Sequence, residues 1–185
     1  MLDKIIHETE DKMKKAVEFT RQELTKLRSG KATVAILDDI KIDYYGKKMP
    51  IAQTASISTP DAHLITVQPW DKTIIHEVEK AILAANIGLT PASDGTVIRL
   101  PVPPLTEERR KELVKVAKKF AEDGRITVRN IRRDSNEHLK KAEKDEHVAE
   151  DERKHGEAEV QKLTDRYIKQ LDDLLAVKEK EIMEV

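Results

Sequence analysis

Apolar residues recur at steps of three and four along both ends of the chain. In residues 3–28 the repeating positions are Ile6, Met13, Val17, Thr20, Leu24 and Leu27. Two later stripes comprise Leu113, Ala117, Phe120, Gly124, Val128 and Ile131, and then Val160, Leu163, Tyr167, Leu171, Leu174 and Ile182. This spacing is typical of helices with one apolar face. Because no stripe can be buried alone, we expect residues 1–29 and 106–185 to form a three-helix bundle.

The middle of the chain, residues 30–105, follows another pattern. Apolar and polar residues alternate in residues 40–44, 55–58, 64–67 and 96–100, which predicts strands. Residues 45–48 and 59–61 read as turns between them. A short helix is predicted around residues 74–83, with Asp71 or Thr73 as its N-cap and Gly88 beyond its end. We therefore predict an inserted mixed domain, 30–105, and an α+β protein overall.

The chain crosses between these two predicted domains twice. The crossings comprise Arg28, Ser29, Gly30 and Lys31, and then Pro101, Val102, Pro103 and Pro104. Glycine permits many backbone angles, and we expect Gly30 to cap the end of the first helix. The prolines exclude a helix and favour an extended path. We predict a two-crossing hinge, with function depending on the relative placement of the domains.

Composition favours narrow aliphatic seams over a large globular core, since 37% of residues are charged and 3% are aromatic. Disorder is the competing interpretation, but the net charge is −1 and the apolar residues are periodic. The chain has no cysteine, which excludes disulfides and thiolate metal sites. It shows neither a signal peptide nor an apolar run long enough to span a membrane. We expect a soluble, cytoplasmic protein.

Charge is unevenly distributed along the helical segments. Residues 106–133 carry ten Lys and Arg against five Asp and Glu, whereas residues 134–185 carry ten against sixteen. Steps of three, four and seven place several cations on one helix face. The candidate binding residues are Arg110, Lys111, Lys118, Arg125, Arg129, Arg132 and Arg133. A row of arginines suits a phosphate backbone; the alternatives are a solvated face or salt bridges to the acidic third helix.

The sequence contains no convincing catalytic or metal-binding motif. Gly30-Lys31 lacks the upstream glycine and following hydroxyl of a phosphate-binding loop. His147 and His155 could approach each other but have no ligand pattern around them. We predict no enzyme activity, no metal and no cofactor. Two classes stay open: an RNA- or ribosome-binding factor, and a helical-rod adaptor or chaperone that binds proteins without RNA.

Two long motifs resemble the bacterial ribosome recycling factor family. They are P-V-P-P-L-T-E-E-R-R-K at residues 101–111 and V-R-N-I-R-R-D at residues 128–134. Shorter stretches at residues 43–46, 78–82, 88–91 and 161–165 support the resemblance, which covers essentially the whole chain. The sequence departs from the family pattern at Lys31, Thr33, Val34 and Ala149.

This resemblance implies an L-shaped monomer with a tRNA-like outline, made of a three-helix bundle and a β/α/β domain joined by a flexible hinge. It implies binding to the post-termination ribosome, with the bundle against large-subunit RNA. With elongation factor G and GTP, such a factor separates the subunits and frees the mRNA, and initiation factor three keeps the subunits apart. The family's important arginines correspond by motif to Arg129, Arg132 and Arg133.

Overall fold

The computed structural model describes residues 1–145 and 148–184. The chain divides into two compact units, Met1–Ser29 with Glu107–Val185, and Gly30–Thr106. Within the described ranges the helices are α1 (Leu2–Thr25), α2 (Ile75–Ala84), α3 (Glu107–Asp145) and α4 (Glu150–Met183), and the strands are β1 (Lys41–Tyr44), β2 (Lys47–Pro50), β3 (Ala55–Asp61), β4 (Leu64–Pro69), β5 (Ala92–Ser93) and β6 (Ile98–Pro101). The predicted α+β class is confirmed.

The first unit is a bundle of α1, α3 and α4. Helices α1 and α3 run antiparallel, since Thr9 meets Ser135 at one level and Thr20 meets Gly124 at another. Apolar side chains from all three helices form one buried cluster: Met13, Val17, Val128, Leu163, Tyr167 and Leu171. The three apolar stripes in the sequence therefore do pack together, as the periodicity predicted.

Two polar residues that the periodicity did not place in the core are buried in the bundle. The hydroxyl oxygens of Thr9 and Ser135 lie 2.6 Å apart. Each also lies within hydrogen-bond distance of a backbone carbonyl one turn earlier, 2.7 Å from Ile5 and 2.8 Å from Ile131. These local acceptors allow a hydroxyl to be buried within a helix interface.

The start of α4 has no capping side chain, because Ala149 occupies the N-cap position. Acidic residues fill the first turn instead, at Glu150, Asp151 and Glu152, where the helix dipole favours negative charge. Arg153 then joins α4 to the end of α3, since its Nε lies 2.6 Å from Glu143 Oε2. The weak sequence signal at this helix start is thus compensated by electrostatic contacts.

The expectation that Gly30 caps the first helix was wrong. Helix α1 ends at Thr25, where the N–H of Lys26 donates to the Gln22 carbonyl at 3.2 Å and the N–H of Leu27 donates to the Leu24 carbonyl at 3.1 Å. Gly30 serves the inserted unit instead: its φ is +79°, and a Cβ there would lie 2.8 Å from Leu105 Cγ. Both the backbone angle and the lack of space require glycine at this position.

The inserted unit contains a two-stranded sheet, β1-β2, and a four-stranded sheet in the order β3-β4-β6-β5. All the strand pairs are antiparallel. Ile75, Val78 and Ile82 from α2 belong to the same buried cluster as the inward residues of β4 and β6, Ile65, Val67, Ile98 and Leu100. One apolar core therefore lies between α2 and the sheet.

The sequence interpretation of the inserted unit needs three corrections. Residues 45–48 are not all turn: Tyr45 and Gly46 form a tight turn with positive φ values of 49° and 80°, and β2 starts at Lys47. Residues 59–61 do not end a strand early, since β3 continues to Asp61. The final strand begins at Ile98, two residues later than predicted, and pairs with the unpredicted β5.

The helix of this unit also starts slightly later than predicted. Asp71 caps a preceding 3₁₀ turn, in which its carboxylate accepts from the N–H of Thr73 at 2.9 Å, and α2 begins at Ile75. Gly88, with φ +77°, follows the helix end at Ala84. Asp71 is therefore a cap of the segment that leads into α2.

Candidate nucleic-acid interface

The predicted arginine row lies on the side of α3 that faces α4. Arg125 donates from Nε to Asp172 Oδ1 at 2.8 Å, and Arg132 donates to Gln161 Oε1 at 3.3 Å. Both acceptors belong to α4. Arg129, one turn from each, has Glu122 of its own helix as its polar contact among the described residues, at 3.5 Å. The row thus follows the outer edge of the α3–α4 contact.

Arg125 is the most constrained member of this row. Its side chain is only 19% exposed and ion-pairs with both Asp172 and Glu122. Partial burial acts to lower the pKa of Arg125, but the hydrogen bonds to Asp172 and Glu122 outweigh it and raise the pKa above its ordinary value. Arg125 therefore carries a permanent charge that is largely compensated within the bundle.

The three arginines of the motif at residues 128–134 are more available than Arg125 for binding another molecule. Arg133 is 68% exposed and lies 3.8 Å from Asp134, and Arg129 is about half exposed. Arg132 is half-buried, with a long hydrogen bond to a neutral amide as its contact. Long contacts of this kind contribute little, so these guanidinium groups can exchange partners at small cost.

The other predicted cations lie toward the start of α3. Lys111 pairs with Glu107 at 3.0 Å on the same helix, and Lys118 pairs with Glu179 of α4 at 3.8 Å. Arg110 is half-buried. The alternative of salt bridges to the acidic third helix therefore describes Arg125 and Lys118, whereas Arg129 and Arg133 have no such bridge among the described residues.

The residues predicted as a hinge differ in how firmly the structure holds them. In the inserted unit, Pro101 ends β6 and pairs with Leu64, and the buried Val102 donates its N–H to the His63 carbonyl at 2.8 Å. Pro103 and Pro104 are exposed. At the first crossing Ser29 is buried, Arg28 is exposed, and Gly30 and Lys31 are half-buried.

Nothing in the described part of the chain forms a metal centre: no three His, Asp or Glu side chains there are grouped as ligands. His147 lies outside the described residues. No helix of residues 1–145 and 148–184 is long and apolar enough to cross a membrane. The arrangement of cations and acids described above can bind a polyanion or a protein surface, and it contains no nucleophile positioned by a base.

The α4 partners of the α3 cations were not identified from the sequence. Asp172, Gln161 and Glu179 lie 29 to 61 residues away from the α3 residues they contact. The available signal was the excess of acidic residues after residue 134. That excess indicated an acidic neighbouring helix without showing which cation it would meet.

These features define a class of protein, a three-helix bundle that carries a row of cations and an inserted antiparallel-sheet domain. The chain belongs to the ribosome recycling factor family, whose sequence profile matches residues 20–183. It is 55% identical to the ribosome-recycling factor of Oleidesulfovibrio alaskensis over 184 residues, which cover 100% of both chains. It is also 55% identical to that of Syntrophomonas wolfei, again over 100% of both chains.

Solved structures show the same similarity. A solution structure of a ribosome recycling factor matches with a TM-score of 0.80 and 44% identity, covering 100% of this chain and 98% of the other. A second match is the T. thermophilus ribosome recycling factor, from models of it and the E. coli elongation factor G bound to the E. coli post-termination complex. Its TM-score is 0.64 and its identity 42%, with 100% of both chains covered.

Proposed function

We propose that the chain binds the post-termination ribosome and, with elongation factor G and GTP, separates it into subunits and frees the mRNA for a new round of protein synthesis. The observation that carries this proposal is family membership over nearly the whole chain. The similar T. thermophilus factor, bound with elongation factor G to a post-termination complex, supports the choice of partners. No finding favours the alternative of an adaptor or chaperone that avoids RNA.

As a member of this family, the chain is a translation factor without catalytic activity of its own. GTP hydrolysis therefore belongs to elongation factor G in this scheme. The proposed place of action is the cytoplasm, where post-termination ribosomes occur. We further propose that the chain acts as a monomer and that initiation factor three keeps the separated subunits apart.

The proposed binding surface for the large subunit is the arginine row of α3. Arg129, Arg132 and Arg133 carry the contact to ribosomal RNA, since their guanidinium groups have only long or local partners in the bundle. The positive charge continues toward the start of the same helix, at Arg110, Lys111 and Lys118. Such contacts to phosphate weaken steeply with salt because counterions are released on binding.

The proposed source of movement is a hinge at the two chain crossings, with residues 1–29 and 106–185 as the RNA-binding domain and residues 30–105 as the moving domain. The proposed hinge positions are Gly30, whose φ of +79° is open to glycine, and the exposed Pro103 and Pro104, which have no N–H to donate. The anchored Val102 keeps its place in the inserted unit. Rotation is thus confined to a few residues.

Polysome breakdown tests the function. Purified post-termination complexes are mixed with the chain, elongation factor G and GTP, and subunits are separated by sedimentation. We expect conversion to subunits only with all components present. Ribosome binding that collapses with salt supports the RNA grip, whereas salt-insensitive binding to a protein partner favours the adaptor.

A disulfide between two engineered cysteines, one in each domain across the domain junction, tests the hinge, since the chain has no cysteine to interfere. The oxidised protein should bind ribosomes normally and fail to split them, and reduction should restore splitting. Full activity in the oxidised state would overturn the hinge proposal.

A further inference from the structure

Both phenylalanines of the chain line one groove on the surface of the bundle. The groove lies between α1 and α3 and has a volume of about 690 Å³. Phe19 is 66% exposed, and Phe120 and Ile131 are half-buried. An exposed phenylalanine leaves a large apolar area in water, and a cluster of such area marks an interaction site more often than a lone residue does.

The shape of the groove matches a helix. Because α1 and α3 run antiparallel, its walls are two neighbouring helices, and it extends from Lys12 to Glu23 along α1. At about 1.5 Å per residue, this is roughly 16 Å, or three helical turns. The helices approach closely at Gly124, where an added Cβ would lie 2.5 Å from Thr20 Oγ1. A fourth helix laid in such a groove completes the geometry of a four-helix bundle.

The other two helix pairs are bridged on their outer sides. Arg166 and Tyr167 of α4 both donate to Glu10 of α1, and Arg125 of α3 donates to Asp172 of α4. The Thr9–Ser135 hydrogen bond joins α1 to α3 beyond the Lys12 end of the groove, but along the groove itself no ion pair or side-chain hydrogen bond among the described residues joins the two helices. The groove therefore exposes apolar side chains, whereas the bridged stretches of the other two helix pairs expose compensated charge.

Charged side chains of opposite sign lie at the two ends of the groove. Lys12 and Lys15 lie at the end near Ile131, and Asp123 and Glu23 lie toward the end near Phe120. Lys12, Lys15 and Asp123 have no ion-pair partner in the described part of the chain, and Glu23 pairs with Lys26. Unpaired charges of opposite sign at the two ends of an apolar groove complement a helix with the reverse arrangement.

We propose that the α1–α3 groove binds one amphipathic helix of a partner protein, about three turns long, whose apolar face covers Phe19 and Phe120, with acidic side chains at Lys12 and Lys15 and a basic side chain at Asp123. The arginine row lies on the α4 side of α3. The helix can therefore bind without covering that row. This site goes beyond the proposed function and does not depend on it.

A designed peptide provides the probe. It is a 15-residue amphipathic helix with a leucine face, glutamates at one end and lysines at the other, and the matched control carries lysines at both ends. Each is titrated into the full ¹⁵N-labelled chain. We expect saturable shifts confined to amides along the groove, such as those of Ala16 and Thr127. The two-signed peptide should bind roughly fivefold tighter, from two exposed charge pairs.

Three variants sharpen the test. Phe19→Ala should weaken binding at least about tenfold, as expected for loss of an aromatic anchor. Val177→Ala, which trims a similarly exposed apolar residue of α4 (68% exposed), should leave binding unchanged. Lys12→Glu with Lys15→Glu should reverse the preference toward the all-lysine peptide, and this readout holds even if Phe19→Ala perturbs the bundle.

Several results would overturn the proposal. One is the absence of saturable shifts with either peptide, and another is equal weakening by Phe19→Ala and Val177→Ala. Sedimentation that shows a dimer abolished by Phe19→Ala would assign the groove to a second copy of the chain. Shifts of the same amides by a short single-stranded RNA, with none from the peptides, would assign it to RNA.

Discussion

Arg125 on α3 donates from Nε to Oδ1 of Asp172 on α4 at 2.8 Å, so one of the cations that the sequence presents for binding joins two helices. Arg129, one turn further on, has no partner on α4 in the described structure. We therefore propose that Arg125 serves stability and Arg129 serves binding, so that the two roles can be separated by mutation.

The first prediction concerns this ion pair. Arg125→Ala should lower the free energy of unfolding of the bundle by about 1 kcal/mol, because a mostly buried side chain loses its packing and its ion pair. In a double-mutant cycle with Asp172→Ala, measured by urea unfolding and far-ultraviolet circular dichroism, the coupling should be about 0.5–1 kcal/mol. Strictly additive effects would show that the contact contributes nothing.

The second prediction concerns binding. Arg132→Ala should leave the unfolding free energy within about 0.5 kcal/mol of wild type but weaken binding to large ribosomal subunits about 10- to 150-fold, the loss of one charge-assisted hydrogen bond. For the Arg132→Ala variant, the slope of the logarithm of the binding constant against the logarithm of the salt concentration should also become shallower by about one. Lys162→Ala on α4, whose side chain is 73% exposed, is the matched control. Equal affinities for both variants would mean that Arg132 is merely solvated.

The third prediction concerns the buried hydroxyls. Thr9 and Ser135 supply two hydroxyl hydrogens for three close contacts, to each other and to two carbonyls. Thr9→Val or Ser135→Ala alone should cost about 1–3 kcal/mol, because a buried group loses its partner. The double variant should cost less than the sum of the single ones. Thermal or urea unfolding of the four proteins measures this, and additive losses would contradict it.

The fourth prediction concerns the first chain crossing. Gly30 and Gly46 have nearly the same φ, +79° and +80°, but an added Cβ meets Leu105 only at Gly30. Gly46→Ala should cost about 1–2 kcal/mol in the inserted unit, the ordinary penalty for a left-handed backbone. Gly30→Ala should cost more, since Leu105 must also move. Hydrogen exchange of the β4 and β6 amides reports the difference, and equal effects would show that the Leu105 contact is relieved freely.

The helical part of the fold could be predicted because its signal is local. Met13, Val17 and Leu24 repeat with the helical period, and they are all buried. Thr9 and Ser135 were missed because a threonine or serine reads as polar until its partner is known. Strand β2 was missed because Lys47-Lys48-Met49-Pro50 shows no clear alternation and ends in proline. Its pairing comes from the tight turn at Tyr45 and Gly46.

The candidate site could be predicted only in part. Spacing along α3 was enough to place Arg125, Arg129 and Arg132 on one face. It could not show that Asp172 lies opposite Arg125, because that depends on the register between two helices joined by a connection with weak sequence signals. The groove containing Phe19 and Phe120 was missed for a related reason, since Phe120 was placed in the core stripe of α3 and is only half-buried.

We propose that this chain recycles ribosomes with a bundle that binds ribosomal RNA. Light scattering of purified post-termination complexes tests it most directly, because scattering falls as ribosomes separate into subunits. We predict a fall to the level of free subunits with the chain, elongation factor G and GTP together, none when any one is omitted, and a much slower fall with Arg132→Ala. Unchanged scattering with all components present, at concentrations where the chain is bound, would contradict the account.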